Sequence, residues 1–210
     1  MKGILGFLRH KLPPEEGQEH AESTFFTTAF ADQGISQAQT VPWDARAAEV
    51  DARRLNADKG AAKLRALWSR DPHMKRLDAA AMDQLMHFFE FATVAADREV
   101  MRQDEYGSFM IVLLSGSMAV DREQPWGERL RLSEARPGEV LGEMSLLDSG
   151  KRFSHCLTLT ECEIAILGAE ALDEMMTVRA ALAASLIALL ARKLSLRLRV
   201  VSARLSDRRG

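Results

Sequence analysis

Residues 138–154 read GEVLGEMSLLDSGKRFS. A glycine stands before each of two acidic residues, and the second pair, Gly142-Glu143, opens a short helical run through Met144, Ser145, Leu146 and Leu147. A turn that starts a helix this way aims main-chain N–H groups outward, where they suit an anion. Glu143 can accept a hydrogen bond from a sugar hydroxyl. Arg152, nine positions on, brings a guanidinium that forks onto phosphate oxygens. Carboxylate, N–H groups and guanidinium together meet what a ribose cyclic phosphate presents. The same string also reads as a surface turn with an incidental Glu–Arg pair, and spacing alone does not separate the two.

Outward from this stretch, short apolar runs alternate with turn residues. The runs are 91–94, 100–101, 109–114, 117–120, 130–132, 153–160 and 164–167, punctuated by Gly107, Gly116, Gly127, Gly138, Gly142 and Gly150. Runs spaced every ~8–12 residues by turn signals predict a β-barrel, roll or sandwich. Before them, Leu77, Ala81, Leu85 and Phe88 fall at three- and four-residue steps and predict a helix over 77–89. Propensity predicts two more helices, 45–55 and 61–69, with Asp44 as N-cap of the first and a break at 56–60 between them. Helix returns at Ala169 and, past a joint near Thr177-Val178, runs almost to the last residue. The layout is α+β, without the regular alternation of a parallel sheet.

Composition bounds the function. The chain has 210 residues, 47% of them hydrophobic and 28% charged, which is globular composition. Its 28 Lys and Arg against 30 Asp and Glu leave a net charge of −2, which argues against a nucleic-acid binder that relies on overall charge. No run reaches the ~18 apolar residues of a membrane span. The opening MKGILGFLRHK (1–11) is too short in its apolar core for a signal peptide and reads as a frayed terminus rather than a membrane anchor. Pro13 and Pro14 stop any first helix, and the polar stretch to Pro42 reads as a linker or extended arm, with Phe25, Phe26 and Phe30 able to dock. Cys156 and Cys162 read as small core residues, not as a disulfide framework or zinc site, so a reducing cytoplasm is the expected setting. No nucleophile–base motif, nucleotide-binding glycine loop or metal-spaced histidine pair occurs, so neither catalytic nor metal-ligating residues are assigned.

With the residues in order, a resemblance becomes specific. GEMSLLDSGKRFS resembles the phosphate-binding cassette of the cyclic nucleotide-binding domain family, shared by catabolite activator-type regulators, kinase regulatory subunits and nucleotide-gated channels. That pattern is G-E-[LM]-[AGS]-L with an arginine nine or ten positions after the glutamate. The 77–90 helix, the LSGSM turn (114–118), Pro137-Gly138-Glu139, Cys162-Glu163-Ile164-Ala165 and Ala191-Arg192-Lys193-Leu194 resemble the flanks of bacterial members without a gap. The resemblance runs from about Leu77 to Ser202.

It implies a double-stranded, jelly-roll-like β-roll with a helical cover and a long C-terminal helix. Implied boundaries are 1–60 for an N-terminal extension, partly disordered with a helix, 61–178 for the roll and 179–206 for a dimerisation helix. Glu143 would hold the ribose 2′-hydroxyl and Arg152 the cyclic phosphate, with Gly142, Met144 and Ser145 lining the pocket through their backbone. After the arginine the chain departs from the pattern: Phe153 stands where Ala or Ser lets the chain approach the phosphate, its N–H still available to the ligand. Ser154 and His155 follow where Ala and Ser or Thr are common, Ser154 able to supply a hydroxyl if the register shifts by one. Phe153 favours a roll retained as an interaction module without a ligand, whereas Glu143 with Arg152 favours a sensor of cAMP or another cyclic nucleotide. The family's base-contacting stretch falls on Arg197 and Leu198. Arg197 could stack on a purine, lie at a dimer rim or pair with a carboxylate. No cofactor beyond the nucleotide is implied.

The final helix carries two apolar stripes, Leu182, Leu186, Leu189, Lys193, Leu196 and Val200 beside Ile187, Leu190, Leu194, Leu198, Val201 and Leu205. One stripe is expected on the roll and the other on a second copy, as a parallel homodimer. Residues 203–210 are too short for a winged helix-turn-helix, so no DNA-binding domain is expected and the output is expected to pass to a protein partner. The basic end, seven Arg and Lys from Arg192 to Arg209, suits the negative end of a helix dipole.

Overall fold

The computed structural model describes residues 24–72 and 74–207, with side chains through Ala203. In chain order, α1 (Phe25–Asp32), β1 (Thr40–Val41), α2 (Trp43–Glu49), β2 (Arg53–Arg54), α3 (Ala57–Trp68) and α4 (Ala79–Met86) come first. The strand-rich stretch holds β3 (Glu90–Val94), β4 (Glu99–Met101), β5 (Tyr106–Gly107), β6 (Phe109–Ser115), β7 (Met118–Glu123), β8 (Arg129–Ala135) and β9 (Val140–Leu141). Next come α5 (Glu143–Asp148), β10 (His155–Thr158), β11 (Cys162–Gly168), α6 (Ala169–Val178) and α7 (Ala180–Asp207).

Two antiparallel sheets form the roll, one in the order β4-β10-β7-β8 and the other β2-β3-β11-β6-β9. Strand β6 shows why they stack. Side chains alternate across a strand, so Phe109, Ile111 and Leu113 enter the core between the sheets, with Val94, Val100, Met118 and Ile164. Met110, Val112 and Leu114 point the other way, into a core shared with helices through Leu64, Trp68, Leu85, Leu172 and Leu186. A strand buried on both faces needs a continuous apolar run, and β6 has one. Strand β8, at the sheet edge, is exposed along nearly its whole length. The architecture is the expected α+β roll with helical cover and long final helix. Cys156 and Cys162 are free and buried.

The helices before the roll differ from expectation in instructive ways. The 56–60 segment is a helix start, not a break: Asn56 caps α3 by accepting the Lys59 N–H at 3.0 Å. Gly60 lies inside α3 because a Cβ there would collide with the Phe91 ring. The boundary expected after residue 60 therefore falls within a helix. Pro42, not Asp44, holds the N-cap position of α2, with no side-chain cap, and the helix stops at Glu49 so that Arg53 and Arg54 can pair with β3. The 14–42 stretch, expected as a linker or extended arm with Phe25, Phe26 and Phe30 able to dock, contains α1, whose Phe26 and Phe30 are buried while Phe25 is exposed. Asp173 of α6 accepts the Phe26 and Thr27 N–H groups at 2.9 and 2.8 Å. Phe26 and Phe30 thus dock as anticipated; the anchor, a buried acid 146 or more positions away, carries no periodic signal.

Helix α7 divides along its length, not around its circumference. Leu182, Ala183, Leu186, Leu189 and Leu190 are buried against the roll's own helices, drawing on both expected stripes. Leu196, Leu198, Val200 and Val201 farther on are exposed. The 1–11 segment lies outside the described residues. No helix among the described residues is long and apolar enough to cross a membrane.

Candidate functional site

Strand β9 delivers the chain to Gly142 by pairing Leu141 with Ile111 of β6. Gly142 adopts φ 79°, in the left-handed region that glycine enters without strain, and turns the chain into α5. A Cβ at this position would also strike the Arg152 guanidinium and come within 2.7 Å of the Met101 methyl. Glu143 and Ser145 are buried, while Met144 turns outward.

Arg152 is 3% exposed. Its Nη1 donates to the Gly142 carbonyl at 2.9 Å and its Nη2 to the Phe109 carbonyl at 2.7 Å. The guanidinium carbon lies 4.6 Å from the Phe109 ring centroid, and a Cβ on Gly107 would occupy its space. Its own main chain is held as well, N–H to the Glu105 carbonyl at 2.7 Å and carbonyl from the Asp104 N–H at 2.9 Å. Arg152 therefore occupies a slot between Gly107, Phe109 and Gly142, and Gly142 joins it to Glu143, the next residue.

Burial pushes the Arg152 pKa down to about 10, and neighbouring Arg46 adds to that push while Glu105 and Glu143 oppose it. The group still carries its charge at neutral pH. Burial drives the adjacent Cys156 thiol up to about 12, so it is no thiolate nucleophile.

Of the residues singled out from sequence, Gly142, Glu143, Ser145, Arg152 and Arg197 are brought together. Arg197 reaches from α7 to Glu143, Nη1 to Oε1 at 2.8 Å, so of its three anticipated roles the carboxylate pair is the one observed. Phe153 swings away, 51% exposed, with Arg122 stacked 4.1 Å from its ring centroid. Ser154 is half-buried beside the Cys156 thiol. Sequence reasoning missed the residues that hold Arg152 in place: Glu105, Gly107, Phe109 and, behind them, Arg46. Gly107 registered only as a turn, and an arginine in an Ala-rich helix gives no sign of being buried.

Residues 92–179 match the model of the cyclic nucleotide-binding domain family. The chain is 30% identical over 95 residues to a CRP-like cAMP-activated global transcriptional regulator of Mycobacterium tuberculosis, covering 45% of this chain and 42% of that protein. It is 28% identical over 113 residues to the cyclic AMP receptor protein of Thermus thermophilus, covering 54% and 52%. The chain thus spans about half the length of the curated relatives it matches. A solved cyclic nucleotide-binding domain from Methylobacillus flagellatus superposes with a TM-score of 0.68 at 19% identity, over 75% of this chain and 89% of that one. At that identity the likeness is one of fold.

Proposed function

We propose that the domain within 92–179 binds a cyclic nucleotide between Glu143 and Arg152 and passes the signal to a protein partner. One observation carries this reading: a buried guanidinium donates to the Gly142 carbonyl and a buried carboxylate follows on the next residue, at a left-handed turn that opens a helix. In this arrangement Glu143 accepts the ribose 2′-hydroxyl. Arg152 and the N–H groups at the start of α5 take the cyclic phosphate. The nucleotide is cAMP first, since the M. tuberculosis and T. thermophilus relatives are named for it.

The far half of α7, with Leu196, Leu198, Val200 and Val201 exposed, is the surface for a second copy of the chain. Light scattering should give a dimer for the wild type and a monomer for Leu198→Lys. A monomeric wild type rules the dimer out.

Calorimetric titration with cAMP, cGMP and cyclic di-GMP tests the ligand. One of them should bind, and Arg152→Lys should weaken it by about ten- to a hundredfold, the order of a lost charged hydrogen bond at ~1.5–3 kcal/mol. Lysine is the better replacement, because alanine would also strand the Gly142 and Phe109 carbonyls. A second reading, the roll kept as an interaction module without a ligand, is favoured by one fact: Arg152 already gives both terminal nitrogens to main-chain carbonyls. Silence in every titration decides for it.

A further inference from the structure

Residues 40–49 converge on the segment that encloses Arg152. Strand β1 lies parallel to β5, with Thr40 opposite Tyr106 and Val41 opposite Gly107. The Ser108 N–H continues this pairing to the Val41 carbonyl at 3.4 Å. Trp43 meets Phe109 edge-on at 5.5 Å between centroids, and Phe109 supplies the carbonyl and ring face that take the Arg152 guanidinium. Arg46, 1% exposed, donates to Glu49 and to Glu105, whose carbonyl receives the Arg152 N–H. Glu105, Gly107 and Phe109 thus each touch Arg152 on one side and a residue of 40–46 on the other.

Charge explains why this backing is specific. A guanidinium withdrawn from water needs hydrogen-bond partners and is best compensated by carboxylates. Arg46 is therefore confined to Glu49 and Glu105, and it confines Glu105 in return. Arg102 extends the cluster with contacts to Glu49, Glu99 and Glu105 at 3.1–3.4 Å. A loop so pinned presents Arg152 in one direction before any anion arrives, and such preorganisation lowers the ordering cost of binding.

We propose that Arg46 is a positioning residue for Arg152, and that residues 40–49 buttress the anion site so that ligand affinity depends on their docking. The proposal rests on the reading of Arg152 as the phosphate-holding group. It gives part of the 1–60 extension a role at the site, which the boundary implied by the resemblance did not. Whatever releases this segment loosens Arg152 without touching the cassette.

The test uses the full chain as wild type, Arg46→Met, Arg46→Lys and Glu105→Gln, with amide hydrogen exchange in the absence of nucleotide and calorimetric titration with cAMP. In Arg46→Met the Arg152 amide and those of 104–109 should exchange faster while Ile166 in β11 stays protected. The cAMP dissociation constant should rise about tenfold, as when the support behind a binding residue is lost. Arg46→Lys should recover part of both effects, which a purely packing role would not allow. Glu105 is 28% exposed at its side chain, so Glu105→Gln keeps the comparison alive if Arg46→Met fails to fold. Unchanged exchange at Arg152 and 104–109 in a folded variant overturns the proposal, as does unchanged cAMP affinity where exchange has risen. A wild type that binds no cyclic nucleotide sinks the ligand reading instead, and exchange still decides the buttress.

Discussion

Arg197 of α7 and Glu143, the first residue of α5, form an ion pair with Nη1 and Oε1 2.8 Å apart. The glutamate side chain is 7% exposed and the arginine 56%, so the pair sits at the rim of the site, its carboxylate inside and its guanidinium outside. It ties the second half of the terminal helix to the cassette.

Removing that tie should be measurable at both ends. Arg197→Ala leaves a buried carboxylate without this partner and should lower nucleotide affinity about three- to tenfold, the ~0.5–1.5 kcal/mol of one hydrogen bond. Amide exchange should quicken along 189–201. A variant that matches wild type in affinity and exchange would leave Arg197 without a role at the site.

Gly142→Ala should be far costlier than Gly127→Ala. Both glycines have positive φ, 79° and 86°, so both substitutions carry the ~1–2 kcal/mol of left-handed strain. Only at Gly142 does the added Cβ meet the Arg152 guanidinium and Met101, whereas at Gly127 it meets open space. The difference in melting temperature between the two variants reports the displacement of Arg152 and Met101. Equal losses would mean that the slot accommodates the methyl group.

Asp173→Ala should release α1. Both carboxylate oxygens of Asp173 are engaged, by the Phe26 N–H, the Thr27 N–H and the Thr27 hydroxyl. The loss should be about 1–3 kcal/mol for groups left without partners. Chymotrypsin should then cut at Phe26, which is 3% exposed when docked. Cleavage at the wild-type rate would show that packing alone holds the helix.

The acid limb of stability should depend on Glu163. Burial alone would raise its pKa, but hydrogen bonds from Lys63, Lys59 and Ser115 outweigh that and hold it at about 2. A carboxyl depressed below the ~4.3 of the unfolded chain stabilises the fold above that pH, and the contribution disappears as pH falls from there through 2. Both lysines are substantially exposed, so the effect should be ~1 kcal/mol or less. Glu163→Gln should flatten unfolding free energy against pH in that window. A slope identical to wild type would remove Glu163 from the acid response.

The long-range couplings behind these predictions were the least legible part of the chain. Strand positions such as 109–114 and 164–167 were readable because alternation and apolar runs report burial locally. The positions of Glu143 and Arg152 were readable because their motif lies within one short stretch. Gly60 misled, since a glycine kept for close approach to Phe91 looks identical in sequence to a helix breaker. In the 14–42 stretch the phenylalanines that dock were readable but helix α1 was not, because its anchor is an acid on α6 and pairing at a distance leaves no periodicity.

By itself, then, the sequence determined the order of the main strands and helices from about residue 77 onward, the cassette turn at Gly142 and the identity of the two charged groups beside it. These follow from side-chain alternation, backbone freedom and the chemistry of single residues, all of which act between near neighbours. Only the tertiary structure decided that Arg152 gives its guanidinium to the Phe109 and Gly142 carbonyls, that Arg197 takes Glu143, and that Arg46 backs Glu105. Buried charges must find partners wherever the fold brings them, and what the fold brings together is a property of the whole chain.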